Sequence, residues 1–274
     1  MTPPLPEVGG NTIESRQVDW GGIQRGVAIL KQLPPPDILS STLPEGYICL
    51  ITDDGTDLAP ALAGALTERG WKVVVLSYIN LLRRNRPDGS SGELPYPLVT
   101  MEEMSETYLQ TKLDEIDAQF GHVGAIIHLN PRLNSEVVAS IDSGTPGEYE
   151  KLVVKHVFLL AKHLKETLNH ASEKGRSIFM SVTRLDGEFG LGSEANFNPI
   201  SGGLFGLVKT LNLEWESVFC RAVDLDPAFD AIEATRLVIA ELYDPNRLIS
   251  EVGYNPRGRF TLVVEPSSSK ERYQ

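Results

Sequence analysis

The 274-residue sequence predicts an α/β fold, a doubly wound parallel sheet with helices on both faces. Two observations lead to it. Short apolar runs rich in β-branched residues recur from Tyr47 onward, and amphipathic stretches of helical period alternate with them. Strands alternating with helices specify parallel pairing, because each crossover lays a helix on the sheet.

The elements follow in order. Residues 1–45 are expected to form an extended N-terminal arm, with an amphipathic stretch from Trp20 to Leu33 that ends in Pro34-Pro35-Pro36. Tyr47–Thr52 (YICLIT) is the first strand of the body. The segment DLAPALAGALTERG follows as a helix, with Gly70 as its C-cap. Lys72–Tyr78 is a second strand, and 82–95 is a polar surface loop rich in Arg, Gly, Ser and Pro. Leu98–Met101 is a short third strand. Ser105–Phe120 is a helix with Tyr108, Leu109, Leu113, Ile116 and Phe120 on one face. Val123–Leu129, Ser177–Val182 and Phe219–Leu225 read as further strands, separated by helices over 148–172 and 201–215. A helix over Ala231–Tyr243 and strand-like segments 248–254 and 259–264 close the body. One Rossmann-like domain, 46–265, is expected, with a linker-like tail at 266–274.

Composition excludes several classes. No run of about 18 apolar residues is present, so no membrane-spanning helix is expected. The net charge of -12 argues against nucleic-acid and anionic-membrane partners, which need basic surface. The two cysteines, Cys49 and Cys220, each sit in an apolar run and read as buried free thiols of a cytoplasmic protein. No metal set is expected. His156, His163 and His170 recur every seven residues, roughly 10 Å apart along a helix, too far to ligate one ion. They read as a boundary stripe, and His128 as a satisfied core histidine.

In such a sheet the ligand crevice lies at the carboxyl ends of the strands, beginning at the first strand-to-helix turn. A dinucleotide turn needs glycines there, so that the backbone can approach the pyrophosphate. This turn reads Thr52-Asp53-Asp54-Gly55-Thr56-Asp57-Leu58-Ala59. Carboxylates close to a pyrophosphate repel it, and Asp53, Asp54 and Asp57 read as caps of orphan helix amides. No nucleotide is expected to bind.

The segments GRSIFMSV, GGLFGLVKTLNLEW and FCRAVDLDP, together with IIHL at 126–129 and EVGYNPRGRFTL, resemble the short-chain dehydrogenases. More closely, they resemble the ketoreductase regions of type I polyketide and polyunsaturated-fatty-acid synthases, over about residues 45–265. Laid on that family's glycine pattern, the three glycine positions fall on Asp53, Asp57 and Ala59. The resemblance implies NADPH-dependent reduction of a carrier-bound β-ketone by a Ser, a Tyr and a Lys. The Ser falls on Ser181, the Tyr on Phe197, and the residue four beyond it on Ser201. In the synthase arrangement the Lys falls near Val153, two places from Lys155. Phenylalanine has no proton to give. No Tyr occurs between Tyr149 and Tyr243, and no Lys between Lys174 and Lys209. Tyr108 and Lys112 have the Tyr-x-x-x-Lys spacing, but they read as a helix-surface pair.

Synthase ketoreductase regions often pair a cofactor-free structural half with a catalytic NADPH-binding half, and this chain resembles the first. The implied partners are a catalytic half and an acyl carrier protein, with no cofactor in this chain. Leu152, Val153, Val157, Phe158, Leu160, Leu204, Leu207 and Leu211 make the 148–172 and 201–215 helices apolar beyond one stripe. Pairing through them is expected, with itself when isolated. The alternatives are an active NADPH-dependent reductase with displaced residues, a stand-alone small-molecule-binding module, and a homodimeric scaffold.

Overall fold

The computed structural model describes residues 26–78, 94–131, 148–192 and 199–266. The chain divides into two compact units. The smaller comprises 1–29 and 263–274, of which 26–29 and 263–266 are described. The larger, Leu30–Leu262, carries the core and every site discussed below.

The strands are β1 (Gly26–Leu33), β2 (Tyr47–Thr52), β3 (Val73–Tyr78), β4 (Leu98–Met101), β5 (His122–Leu129), β6 (Ile178–Thr183), β7 (Phe219–Leu225), β8 (Glu251–Asn255) and β9 (Gly258–Pro266). The helices are α1 (Leu58–Glu68), α2 (Glu106–Phe120), α3 (Glu148–Lys174), α4 (Gly203–Glu214) and α5 (Ala231–Tyr243). The strand order is β1-β9-β8-β7-β6-β5-β2-β3-β4. Strands β2 to β8 pair in parallel, while β8 and β9 form an antiparallel hairpin. Of the expected extended arm, residues 26–45 are described, and its amphipathic stretch ends in a strand over Gly26–Leu33. The arm beyond it is tied to α5 by Leu39 N–H donating to Tyr243 O at 3.0 Å.

Strand alternation divides the core. Ile48, Leu50, Leu76, Ile126, Phe179 and Ala222 pack on the side of α2, α3 and α4. Cys49, Ile51, Val75, Ile127, Met180 and Val223 pack on the side of α1 and α5. Both cysteines are buried free thiols, and burial pushes the Cys220 thiol up to about 12. Gly70, the predicted cap, lies one residue beyond the observed one. Arg69 is the C-cap, and Gly70, at φ +82°, closes the turn by donating to Thr67 O at 2.9 Å.

The apolar helix faces differ from expectation. Val153, Val157, Leu160, Leu204 and Leu211 all enter the core, and Leu207 packs partly against it. Both helices bury broad faces because they cover a wide parallel sheet. Outside that face remain Phe158, 54% exposed, and Leu213, 82% exposed. The side chain of Leu152 lies outside the described residues.

A charged cluster is buried where α5 meets β7 and the hairpin. Glu241, fully buried, accepts from Arg221, from Tyr254 OH, and from Arg259 Nε at 2.7 Å and Nη2 at 3.1 Å. Asp244 also accepts from Arg259. Arg259 Nη1 donates to Pro34 O at 3.1 Å, linking the cluster to the arm.

Candidate functional site

The strand order reverses between β2 and β5, so the crevice of this fold opens at their carboxyl ends. Asp53 and Asp54, 3% and 2% exposed, stand there. Asp53 Oδ1 accepts the Gly55 amide at 2.9 Å, and its Oδ2 accepts Ser77 Oγ at 2.9 Å. Asp54 accepts the Thr56 amide at 3.1 Å and the Thr56 hydroxyl at 2.7 Å. Thr56 Oγ1 in turn accepts the Leu58 amide at 3.2 Å. The amides of Gly55, Thr56 and Leu58 are therefore satisfied by side chains of the turn itself. These are the donors that such a turn offers to a phosphate. Burial raises the Asp54 carboxyl above its ordinary range, while the bonds from Thr56 and the charge of Arg184 act against the shift.

Asp57 departs from its predicted capping role. It occupies the N-cap of α1, but its side chain makes no cap bond. Its backbone is already helical, at φ -75° and ψ -3°, and Thr56 has taken the nearby amide. Ala59, at the third glycine position, is buried between helix and sheet.

At the chemistry corner Ser181 is fully buried on β6, in register with His128 on β5. His128 Nδ1 lies 3.0 Å from Thr52 Oγ1, which also accepts the Leu129 amide at 2.9 Å. Asn130 Nδ2 donates to Ser201 Oγ at 3.2 Å. Ser181, His128, Thr52, Asn130 and Ser201 thus gather at one end of the sheet. Val153 is buried in α3, and Lys155 is exposed on the same helix. Phe197 lies outside the described residues. Tyr108 and Lys112 lie on α2, with the ammonium 5.4 Å from the ring centre and bonded to Glu115 at 2.7 Å.

The three histidines of α3 do not share one environment. His156 is buried with its ring edge-on to Tyr78, centroids 5.3 Å apart. His163 pairs with Glu106 at 3.1 Å, and His170 is exposed. Burial pulls the His128 imidazole down to about 3 and His156 to about 4, so both are neutral near pH 7. Tyr78 is a phenol at the same end of the sheet that sequence reading did not weigh. Three strand spacings separate β3 from β6, placing it roughly 14 Å from Ser181.

Sequence reading also missed the clamp after β6. Asp224 accepts from Thr183 Oγ1 at 2.9 Å, the Leu185 amide at 2.8 Å and the Phe189 amide at 2.9 Å. Asp186 gathers the amides of Glu188, Gly190 and Gly192 at 2.7, 2.9 and 2.9 Å. The loop carries glycines at 190 and 192, yet two buried or half-buried carboxylates organise it. The available signal was an aspartate directly before a glycine, a side chain that bonds the backbone two residues on.

No protein-family model matches the chain. It is 28% identical over 224 residues, 80% of its length, to a polyunsaturated fatty acid synthase subunit of Thraustochytrium sp. (strain ATCC 26185 / S-3). It spans only 7% of that relative. Its fold is similar to LigO in the apo form from Sphingobium sp. strain SYK-6, with TM-score 0.58 and 15% identity, covering 77% of this chain and 83% of that one. An apo SCOR enzyme from Clostridium thermocellum gives TM-score 0.57 and 11% identity, covering 75% and 89%. A metagenomic short-chain oxidoreductase in complex with NADP gives TM-score 0.55 and 17% identity, covering 77% and 97%. Taken with the strand order and the crevice, these likenesses show a short-chain-dehydrogenase-like Rossmann fold, in a chain similar in sequence to a segment of a polyunsaturated fatty acid synthase.

Proposed function

We propose that this chain is a non-catalytic, structural ketoreductase domain of a polyketide or fatty-acid synthase. It packs against a catalytic half that binds NADPH and reduces a β-ketone delivered by an acyl carrier protein. The observation that carries the reading is the turn after β2. Its amides at Gly55, Thr56 and Leu58 are bonded to Asp53, Asp54 and Thr56, and two buried carboxylates stand where a pyrophosphate would need to come. Binding a dinucleotide would break these bonds and bring like charges together in a poorly solvated place.

The chemistry corner supports the same reading. Ser181 keeps its place on β6, but Phe197 replaces the proton donor and Val153 stands near the place of the lysine. The neighbouring imidazole of His128 is neutral and buried against Thr52, not solvated and ready to exchange protons.

The test is direct. Purified chain with NADPH and a β-ketoacyl thioester, or a surrogate ketone such as a decalone, is expected to oxidise no NADPH above background. Turnover abolished by Ser181→Ala would overturn the reading of the corner. Turnover that survives that change would place an active constellation elsewhere in the chain.

A further inference from the structure

The chain carries a net charge of -12, yet one cavity is lined by arginine and serine. Its volume is about 440 Å³, and it lies at the amino edge of the sheet, the opposite edge from the crevice described above. Arg176 and Ser177 border it just before β6, Ser217 and Phe219 where β7 begins, Arg247 after α5, and Ser41 before β2.

Among the described residues neither arginine is paired with a carboxylate. Arg176 Nη2 donates to Asp244 O at 2.7 Å, and its guanidinium lies 4.1 Å over the Phe219 ring. Arg247 donates to the Ser217 and Val218 carbonyls at 3.2 and 2.9 Å, and also to that of Glu216. Bonds to carbonyls occupy N–H groups but leave each cation's full charge in place. The buried acids nearby, Glu241 and Asp244, are already matched by Arg221 and Arg259. Glu216 also borders the cavity, exposed.

A second observation points to a ligand. Ser177 Oγ, in a residue 1% exposed, has no hydrogen-bond partner, and neither do the buried Ser41 Oγ and Arg176 Nε. Buried donors without partners are rare, because each costs about 1–3 kcal/mol. Three of them beside one cavity, with two unneutralised cations, make a set of donors that lacks an acceptor.

We propose that this cavity is an oxoanion site for phosphate, free or as an ester, held by the Arg176 guanidinium and the Ser177 and Ser41 hydroxyls, with Arg247 supplying charge. A planar carboxylate offers two oxygens and suits a guanidinium fork alone. Two hydroxyls beside the guanidinium suit an anion with further oxygens. The carboxyl ends of α3 and α5 lie close by and oppose an anion, so weak binding of inorganic phosphate is expected. The site is independent of the nucleotide turn and stands whether or not the structural-half reading holds.

The test is an amide-shift NMR titration of the whole chain at constant ionic strength. Inorganic phosphate and glycerol 3-phosphate are the probes and chloride is the reference. Phosphate is expected to saturate shifts around 175–177 and 217–219, with Ser177→Ala and Arg176→Gln each weakening it about tenfold, or 1.4 kcal/mol. Glycerol 3-phosphate binding as tightly identifies an ester ligand, and binding of inorganic phosphate alone identifies the free ion. Ser177→Ala removes one hydroxyl and keeps the test decisive if Arg176→Gln fails to fold. Shifts that chloride reproduces, or that Ser177→Ala leaves unchanged, would overturn the proposal.

Discussion

Replacing Glu241 by glutamine tests whether the buried charge cluster holds the hairpin and the arm to the body. The substitution keeps the shape of the side chain and removes one charge. Arg221, Arg259 and Tyr254 all donate to this carboxylate, which has no solvent exposure. After the change, two guanidinium groups would share Asp244 as their one buried carboxylate partner. Removing one partner of a buried ion pair costs about 3–5 kcal/mol, because the other charge stays desolvated. Against a total stability of about 5–15 kcal/mol this is a large share. It corresponds to a fall in Tm of roughly 6–20 °C for a domain of this size. Urea unfolding followed by circular dichroism measures it, with exposed Glu214→Gln as the control, expected within about 0.5 kcal/mol of the parent. A loss below about 1 kcal/mol for Glu241→Gln would refute the reasoning and make the cluster a bystander.

Three further outcomes are expected. His128 and His156 have folded pKa values of about 3 and 4, below the ordinary 6.5, so the unfolded chain binds their protons first. Each therefore contributes stability that is present above pH 6.5 and lost by about 1.4 kcal/mol per pH unit as pH falls towards its folded value. His156→Leu should flatten the stability-pH slope between pH 6 and 4 by one proton, and an unchanged slope would contradict the burial argument. Gly187 sits at φ +70°, where an added Cβ would lie 2.0 Å from Tyr254 O, so Gly187→Ala should cost about 2 kcal/mol or more in the same urea assay. Pairing through α3 and α4 should be weakened, with the fold intact, by Phe158→Glu combined with Leu213→Lys. Val157→Glu should unfold the chain, because that side chain is in the core. Light scattering reports both, and a monomeric parent chain at tens of micromolar would refute self-pairing.

The alternation of Tyr47–Thr52, Val123–Leu129 and Ser177–Val182 with amphipathic stretches made the sheet legible, because period is a local property of sequence. So did the crevice, since the order of strands fixes where it opens. The arm was harder to read. Gly26–Leu33 was expected within an amphipathic stretch and forms an edge strand, which depends on the distant β9. The charged cluster was invisible for the same reason, since Arg221, Glu241 and Arg259 meet only through tertiary packing. Asp57 looked like a helix cap, yet a threonine one residue earlier had already taken the amide. His156 belonged to a visible seven-residue recurrence, but nothing local tells that its ring is buried against Tyr78 while His170 is exposed.

Calorimetric titration of NADPH into the purified chain tests the central claim most directly. With its turn amides committed to Asp53, Asp54 and Thr56, the chain is predicted to give no saturable heat below about 1 mM NADPH. A micromolar dissociation constant, about 4 kcal/mol more favourable than a millimolar one, would contradict it.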